Sequence, residues 1–320
     1  MSSRIRGALI GLCLGLFFSA PALLAEERIL RFENPTGRAG LGFSFQNVAF
    51  DVADAGLSHD EIIVSPNSPI HFLFGAEWQN IGLTARFKVP LSDTEVEERG
   101  RTQFVDFQFQ YHRDQLEVDL IYQLHQGMYV ENTESFTEPF SSSKLPDFLL
   151  QTVAANFFYA ANPNYSLAAA YRLNARHRRS GASLVWLGGL SGIWMEAPEG
   201  PARGMAAAEG TEAHEDVYFV ARSVNGGAGG TATVQFGPWF FSPLFGIAVG
   251  PQLIDYAVVG DSGRRWTLAP LIFGRLSFGY NADEFFAAFV GSADWRGVQV
   301  PRISATQGTY LIELVVGKRF

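Results

Sequence analysis

The sequence predicts an all-β protein, an antiparallel transmembrane β-barrel of about twelve strands, or about fourteen if an N-terminal hairpin joins it. Three observations predict this. Apolar and polar residues alternate in strand after strand, with apolar faces unbroken by charge over the length of a strand tilted across a bilayer. Aromatic residues collect near strand ends, at Trp78, Phe87, Tyr111, Tyr165, Trp239, Trp266, Tyr280 and Trp295, as in interfacial girdles. The last strand alternates Tyr310, Ile312, Leu314 and Val316 on one face and closes on Phe320. A soluble antiparallel sheet shows the same two-residue period. The unbroken apolar faces and the girdle favour the barrel, which also closes every strand edge in lipid.

Composition agrees. Aromatics make up 14% of the 320 residues, with 28 Phe and 33 Gly. Mean hydropathy is nevertheless near zero. That combination suits strands that are apolar on alternate residues only. No run of apolar residues after the N-terminus is long enough for a transmembrane helix. A net charge of −8 argues against nucleic acid as a partner.

The N-terminus reads as a signal peptide over residues 1–25. Arg4 and Arg6 precede an apolar run from Ala8 to Phe18 and then the small-residue stretch Ser19-Ala20-Pro21-Ala22. Cleavage after Ala22 and after Ala25 both fit. Cys13 is the single cysteine and lies in this leader, so no disulfide or thiolate chemistry is expected beyond it. No linker divides residues 26–320, which read as one domain.

In order, residues 40–50 look like a short hairpin around Gln46-Asn47. Val64 to Pro69 is a rigid lead-in to a hairpin of Ile70–Trp78 and Ile81–Val89, with a turn at Gln79-Asn80. Pro90 to Thr102 is an acidic loop. The central hairpin runs from Gln103 to Gln126 through a turn at Asp114-Gln115. Its greasy face holds Phe107, Phe109, Leu120 and Tyr122; its polar face holds Asp106, Gln108, Asp119 and Gln123. A polar loop (127–146) leads to strands at 149–160 and 165–176, then a glycine-punctuated strand at 181–195. Residues 196–230 read as irregular, with a flexible glycine-rich end at Gly226–Gly230. Five strands follow, near 231–241, 244–257, 267–280, 284–296 and 308–320.

This order carries a conflict. Counted back from Phe320, the turns at Ser242-Pro243 and Asn281-Ala282 lie on the periplasmic side, but those at Gln79-Asn80 and Asp114-Gln115 fall on the other. An odd strand inside 196–230, such as Val217 to Ala221, or long periplasmic loops would reconcile them.

With lipid on the apolar faces, the lumen should be lined by Glu77, Arg86, Lys88, Asp106, Gln108, Gln110, His112, Glu117, Asp119, Gln123, His125, Arg172, Asn174 and Arg176. These residues describe either a polar pore or ligand pocket, or a lumen zipped shut by ion pairs and amides. Asp106–His112 and Asp119–His125 are each six residues apart on a strand, about 20 Å, so neither is a local acid–base or metal pair. No catalytic motif is present, and no cofactor or metal site is expected.

Several segments also resemble a known family: Pro66-Asn67-Ser68-Pro69, IGLTARFKVP (81–90), VDFQFQY (105–111), VDLIYQ (118–123), FGRLSFGYNADEFF (273–286) and VVGKRF (315–320). They are similar to bacterial proteins grouped as domain of unknown function 4421. The resemblance covers most of the mature chain and departs most over 196–230. It implies an outer-membrane barrel and transfers no catalytic residue.

The expected function is a narrow pore or small-ligand conduit with a charged lumen in the bacterial outer membrane, not an enzyme. Its partners would be outer-membrane lipid and, through the strand ending in Phe320, the assembly machinery. The alternatives are a membrane-embedded enzyme acting on envelope lipid, and a structural or adhesive barrel with a sealed lumen whose partner binds 196–230.

Overall fold

The computed structural model describes residues 29–31, 36–52, 62–67, 70–131, 144–173, 175–197, 217–258, 261–300 and 303–320. Residues 1–25, expected to be a signal peptide, lie outside them. The strands are β1 (Ile29–Arg31), β2 (Thr36–Val52), β3 (Ile62–Ser65), β4 (Ile70–Trp78), β5 (Ile81–Lys88), β6 (Gln103–His112), β7 (Leu116–Val130) and β8 (Lys144–Ala160). They continue with β9 (Ala175–His177), β10 (Gly181–Ala197), β11 (Val217–Phe236), β12 (Trp239–Val258), β13 (Asp261–Asn281), β14 (Phe285–Val300) and β15 (Ile303–Arg319). A short helix α1 (Asp93–Arg99) joins β5 to β6.

All strands but β1 and β9 form a 13-stranded antiparallel sheet that closes on itself through β15 against β2. Strand β2 pairs with β4 along Thr36–Phe43 and with the short β3 along Val48–Phe50. β3 then reaches β7 directly at Val64 and Ser65. At that level β3 replaces β4, β5 and β6, and the wall narrows. The junction is fastened by Asn67, whose side-chain amide donates to the Glu95 and Gly100 carbonyls at 3.1 and 2.8 Å. The Thr102 hydroxyl accepts from the Asn67 N–H at 2.8 Å and donates to the Gly127 carbonyl at 2.6 Å. Gly127 sits at a bulge in β7 with φ of 77°, where a Cβ would lie 2.4 Å from the Arg101 carbonyl oxygen.

The alternation settles which side is which. Phe107, Phe109 and Leu120 are 40–47% exposed, while Asp106 and Asp119 are 4% and 5% exposed. Phe72, Phe74, Leu83, Leu184, Ile247 and Phe289 continue the exposed apolar face around the wall. Apolar outside and charged inside is the pattern of a barrel whose solvent is lipid. Tyr165 is the exception among the girdle aromatics: it is fully buried, inside the barrel.

Several expectations are corrected. The Gln46-Asn47 hairpin is instead part of one 17-residue strand, β2, held on both edges. The acidic loop contains α1, because Ser92 and Glu95 form a reciprocal capping box. Residues 217–230 are not loop but the first fourteen of the twenty residues of β11, and Gly226–Gly230 are strand residues. Their glycines fit close approach: a Cβ on Gly227 would lie 2.0 Å from the Ile247 carbonyl oxygen of β12. The turn expected at Ser242-Pro243 is at Gly237-Pro238, and Ser242 and Pro243 lie within β12.

The expected strand at 165–176 is instead an inward-folded connection. Ala168–Arg172 form one turn of π-helix, and Ala175–His177 form β9 against β1. Three consecutive alanines favour helix, and Ala168, Ala169, Ala170 and Tyr171 are all buried. This removes the conflict over sidedness by losing a strand rather than gaining one. The turns at 79–80, 113–115, 237–238 and 282–284 now share one end with the start of β2 and the end of β15.

Candidate functional site in the lumen

The inward faces of the strands stack into layers. At the tight-turn end His112 Nε2 meets Glu77 Oε1 at 3.1 Å, a cross-strand pair rather than one along β6. Arg319 donates to Asn281 Oδ1 at 2.7 Å and to the carbonyls of Ala282 and Leu173. Leu173 ends the π-helical turn at φ of 65°, in the left-handed region. Asn281 Nδ2 donates to the Ala175 carbonyl at 2.9 Å, and Arg176 Nη1 to the Asn281 carbonyl at 3.0 Å. These bonds tie the inward segment to the wall, so Arg176 is a tether at the mouth. Asn174 lies outside the described residues.

Above this, Arg172 on the inward segment binds both Glu117 and Asp119. Arg275 of β13 binds the same two carboxylates, at 2.5 and 2.8 Å. The Arg275 guanidinium also lies 5.2 Å from the Phe158 ring centre and 5.3 Å from those of Tyr171 and Phe273. Two guanidinium groups and two carboxylates thus form a closed, buried set. The Tyr165 hydroxyl bonds Thr231 and Thr233, both at 2.9 Å, and Tyr171 bonds Thr231 at 2.6 Å.

A third layer centres on Arg86. It binds Glu313 at 2.7 Å and Asp106 at 3.1 Å, while His71 meets Glu313 at 3.1 Å and Gln123 donates to Asp106 at 2.9 Å. Beyond it Arg296 binds Asp294 at 3.1 Å and Gln307 donates to Thr152 at 3.0 Å. A cavity of about 110 Å³ lies among these layers, with Arg86, Asp106, Asp119, Arg275 and Glu313 on its walls. That is room for a few water molecules. Towards the other end the lumen is packed with Met128, Phe148, Leu150, Ile193, Met195 and Ile254.

Of the expected lining residues, Glu77, Arg86, Asp106, Gln110, His112, Glu117, Asp119 and His125 are buried inside the wall. Gln108, Gln123 and Arg172 line the cavity. His125 packs on Phe104, with ring centres 5.0 Å apart. Lys88 caps the Thr102 carbonyl at 2.9 Å, at the junction where β5 ends. Sequence reasoning missed Glu313, Arg275, Arg296 and His71 as members of these networks. The alternation signal held for them, since Glu313 stands between the outward Ile312 and Leu314.

One group of residues brings catalytic types together at the mouth. Asp114, Ser166 and His177 are neighbours, with Ser166 Oγ donating to Asp114 at 3.4 Å. His177 Nε2, however, faces the Ser166 carbonyl at 3.0 Å and not its hydroxyl. Burial pushes the His177 imidazole down to about 4. The hydroxyl therefore faces a carboxylate and no imidazole, which is not the arrangement of a nucleophile with its base.

Fold and lumen define a membrane β-barrel whose charged interior is closed by its own inward-folded connection and by an apolar layer. The model of the family described as Domain of unknown function (DUF4421) matches residues 42–320, and the chain belongs to that family. No curated protein matches the chain. Among solved structures it is similar to the outer membrane protease OmpT from Escherichia coli, with 8% identity, a TM-score of 0.44, and 93% of this chain and 99% of that one covered. It is also similar to OmpT, an outer membrane protein of Vibrio cholerae (5% identity, TM-score 0.34, 92% and 100% covered). A third similar structure is the TodX monoaromatic hydrocarbon channel (8% identity, TM-score 0.31, 90% and 91% covered).

Proposed function

We propose that this chain is an outer-membrane barrel that conducts small polar solutes through a gated lumen, closed in the arrangement described here, and that it is not an enzyme. The observation that carries the reading is the nature of the closure at the tight-turn end. The obstruction is a connection, residues 161–180, and not the wall. It is held by ion pairs and hydrogen bonds that water can replace, together with the apolar packing of Tyr165, Leu167, Tyr171 and Leu173 against the inner wall. Behind it lies a polar chamber with charged walls. At the level of β4, β5 and β6, without the short β3, the wall has twelve strands, between the filled small barrels of about eight strands and the open channels of about sixteen. The signal segment directs export and is removed, the tight-turn end faces the periplasm, and the assembly machinery takes the strand ending in Phe320.

Planar-bilayer recordings test this. The wild-type protein should be closed most of the time, and replacing Ala168–Arg172 by a Gly-Ser linker should give sustained conductance. Silence of both proteins would favour a structural barrel with a sealed lumen, a reading that the apolar layer around Phe148 and Met195 supports. Labelled phospholipid and lipopolysaccharide should remain intact on incubation with either protein.

A further inference from the structure

The outer wall carries a feature that the lumen does not use. A groove of about 580 Å³ crosses the outside of the barrel from β11 to β5. Its floor is low at Ala155, which presents only a methyl group to the outside, and beside it the Trp194 ring lies over Gly192, where a Cβ would stand 2.8 Å from the ring. Its rims are apolar, with Phe107, Phe109, Leu120 and Trp194 among them. Strand register sets its course. Arg222 pairs with Gly192, Gly192 with Val153, Val153 with Tyr122 and Tyr122 with Phe107. Arg222 lies fourteen residues before the tight-turn end of β11 (Phe236), whereas Phe107 lies only five before that of β6 (His112). The groove therefore descends from the membrane boundary into the apolar band. Four strand spacings of about 4.8 Å make this about 19 Å, enough to carry a chain past the middle of one leaflet.

At the upper end two cations share one anion. Arg222 Nη1 binds Asp255 Oδ2 at 2.6 Å, and Arg264 binds the other oxygen of the same carboxylate. The arginine side chains stay 52% and 68% exposed. Below Arg264 on the same face stand Trp266 and Leu268, both largely exposed. A net positive charge thus sits where the apolar band ends, at the mouth of a groove that an apolar chain fits. Guanidinium pairs favour phosphate oxygens through charge-assisted, bidentate hydrogen bonds.

We infer that this groove is a binding site for one phosphate-bearing membrane lipid, with the phosphate on Arg222 and Arg264 and an acyl chain running past the Trp194 ring and across Ala155. The inference rests on the barrel's place in a bilayer and is independent of whether the lumen conducts. The full-length protein, folded in detergent, would be titrated with phosphatidylglycerol and with diacylglycerol of the same acyl chains, and the adducts counted by native mass spectrometry. Phosphatidylglycerol should be retained at least tenfold better. The double variant Arg222→Gln/Arg264→Gln should bring it down to the diacylglycerol level, and Ala155→Leu should weaken both lipids by filling the floor. Heat-modifiable gel migration would confirm that each variant remains a folded barrel. Equal retention of the two lipids, or retention unchanged in the double variant, would overturn the assignment. Retention unchanged in Ala155→Leu would overturn the chain's course through the groove.

Discussion

The tie between Arg172 and the wall can be tested by removing it. Arg172→Ala would leave Glu117 and Asp119 to Arg275 alone. The side chains concerned are 9%, 0% and 7% exposed, so the screened regime of surface pairs does not apply. Opposite charges about 4 Å apart at an effective dielectric near 20 attract by about 4 kcal/mol. Breaking a buried pair from one side costs about 3–5 kcal/mol, because a charge is left desolvated without its partner. Arg275 still reaches both carboxylates, which places the expected loss at about 3 kcal/mol, the lower end of that range. Arg172→Lys should fall between wild type and alanine, since a single ammonium cannot bridge two carboxylates as a planar fork does. Combining Arg172→Ala with Asp119→Asn should recover part of the loss, with a coupling of about 1–3 kcal/mol. The assay is reversible urea unfolding in lipid vesicles, followed by tryptophan fluorescence. A loss below about 1 kcal/mol with no coupling would show that the set is hydrated and screened, and that the inward segment is not held by it.

Three further outcomes follow from the same geometry. Arginine at Phe109 or Leu120 should cost roughly 2–4 kcal/mol in vesicle folding, and arginine at Gln108 or Gln123 far less; equal tolerance would mean the exposed apolar face does not meet lipid. Burial holds the His177 imidazole at about 4 against an ordinary value of 6.5. The unfolded segment therefore binds more protons between those values, so docking of residues 161–180 is strongest above pH 6.5 and weakens by at most about 3 kcal/mol as pH falls towards 4. Fluorescence or conductance against pH, with His177→Gln as the variant that should lose the dependence, checks this. Gly227→Val should sharply lower folding yield because its Cβ would meet the Ile247 carbonyl at 2.0 Å, whereas Gly226→Ala, with nothing within 4 Å, should fold normally.

What the sequence made legible was set by solvent. On the central hairpin lipid bounds one face and charged neighbours bound the other, so the two-residue period reports the fold directly: Phe107 and Phe109 outward, Asp106 and Gln110 inward. Residues 165–173 defeated the same reading because they are enclosed by the barrel. Tyr165, Leu167, Ala169, Tyr171 and Leu173 alternate by position, yet Ser166, Ala168 and Ala170 between them are equally buried. The period therefore carried no information about faces, and the alanine triplet was the better signal. The ion pairs were illegible for another reason. Alternation says that Arg86 and Glu313 both point inward, but they meet because β15 closes on β2, β2 on β4 and β4 on β5, and the two residues stand 227 positions apart. Lumen chemistry in a closed sheet depends on strand register summed around the wall, and one misassigned strand shifts it. Taking 165–176 as a strand put two turns on the wrong side, and it also hid Arg172 as the residue that docks the connection. The strand count and the candidate site were thus one problem, and both turn on the segment that enters the barrel instead of crossing with it.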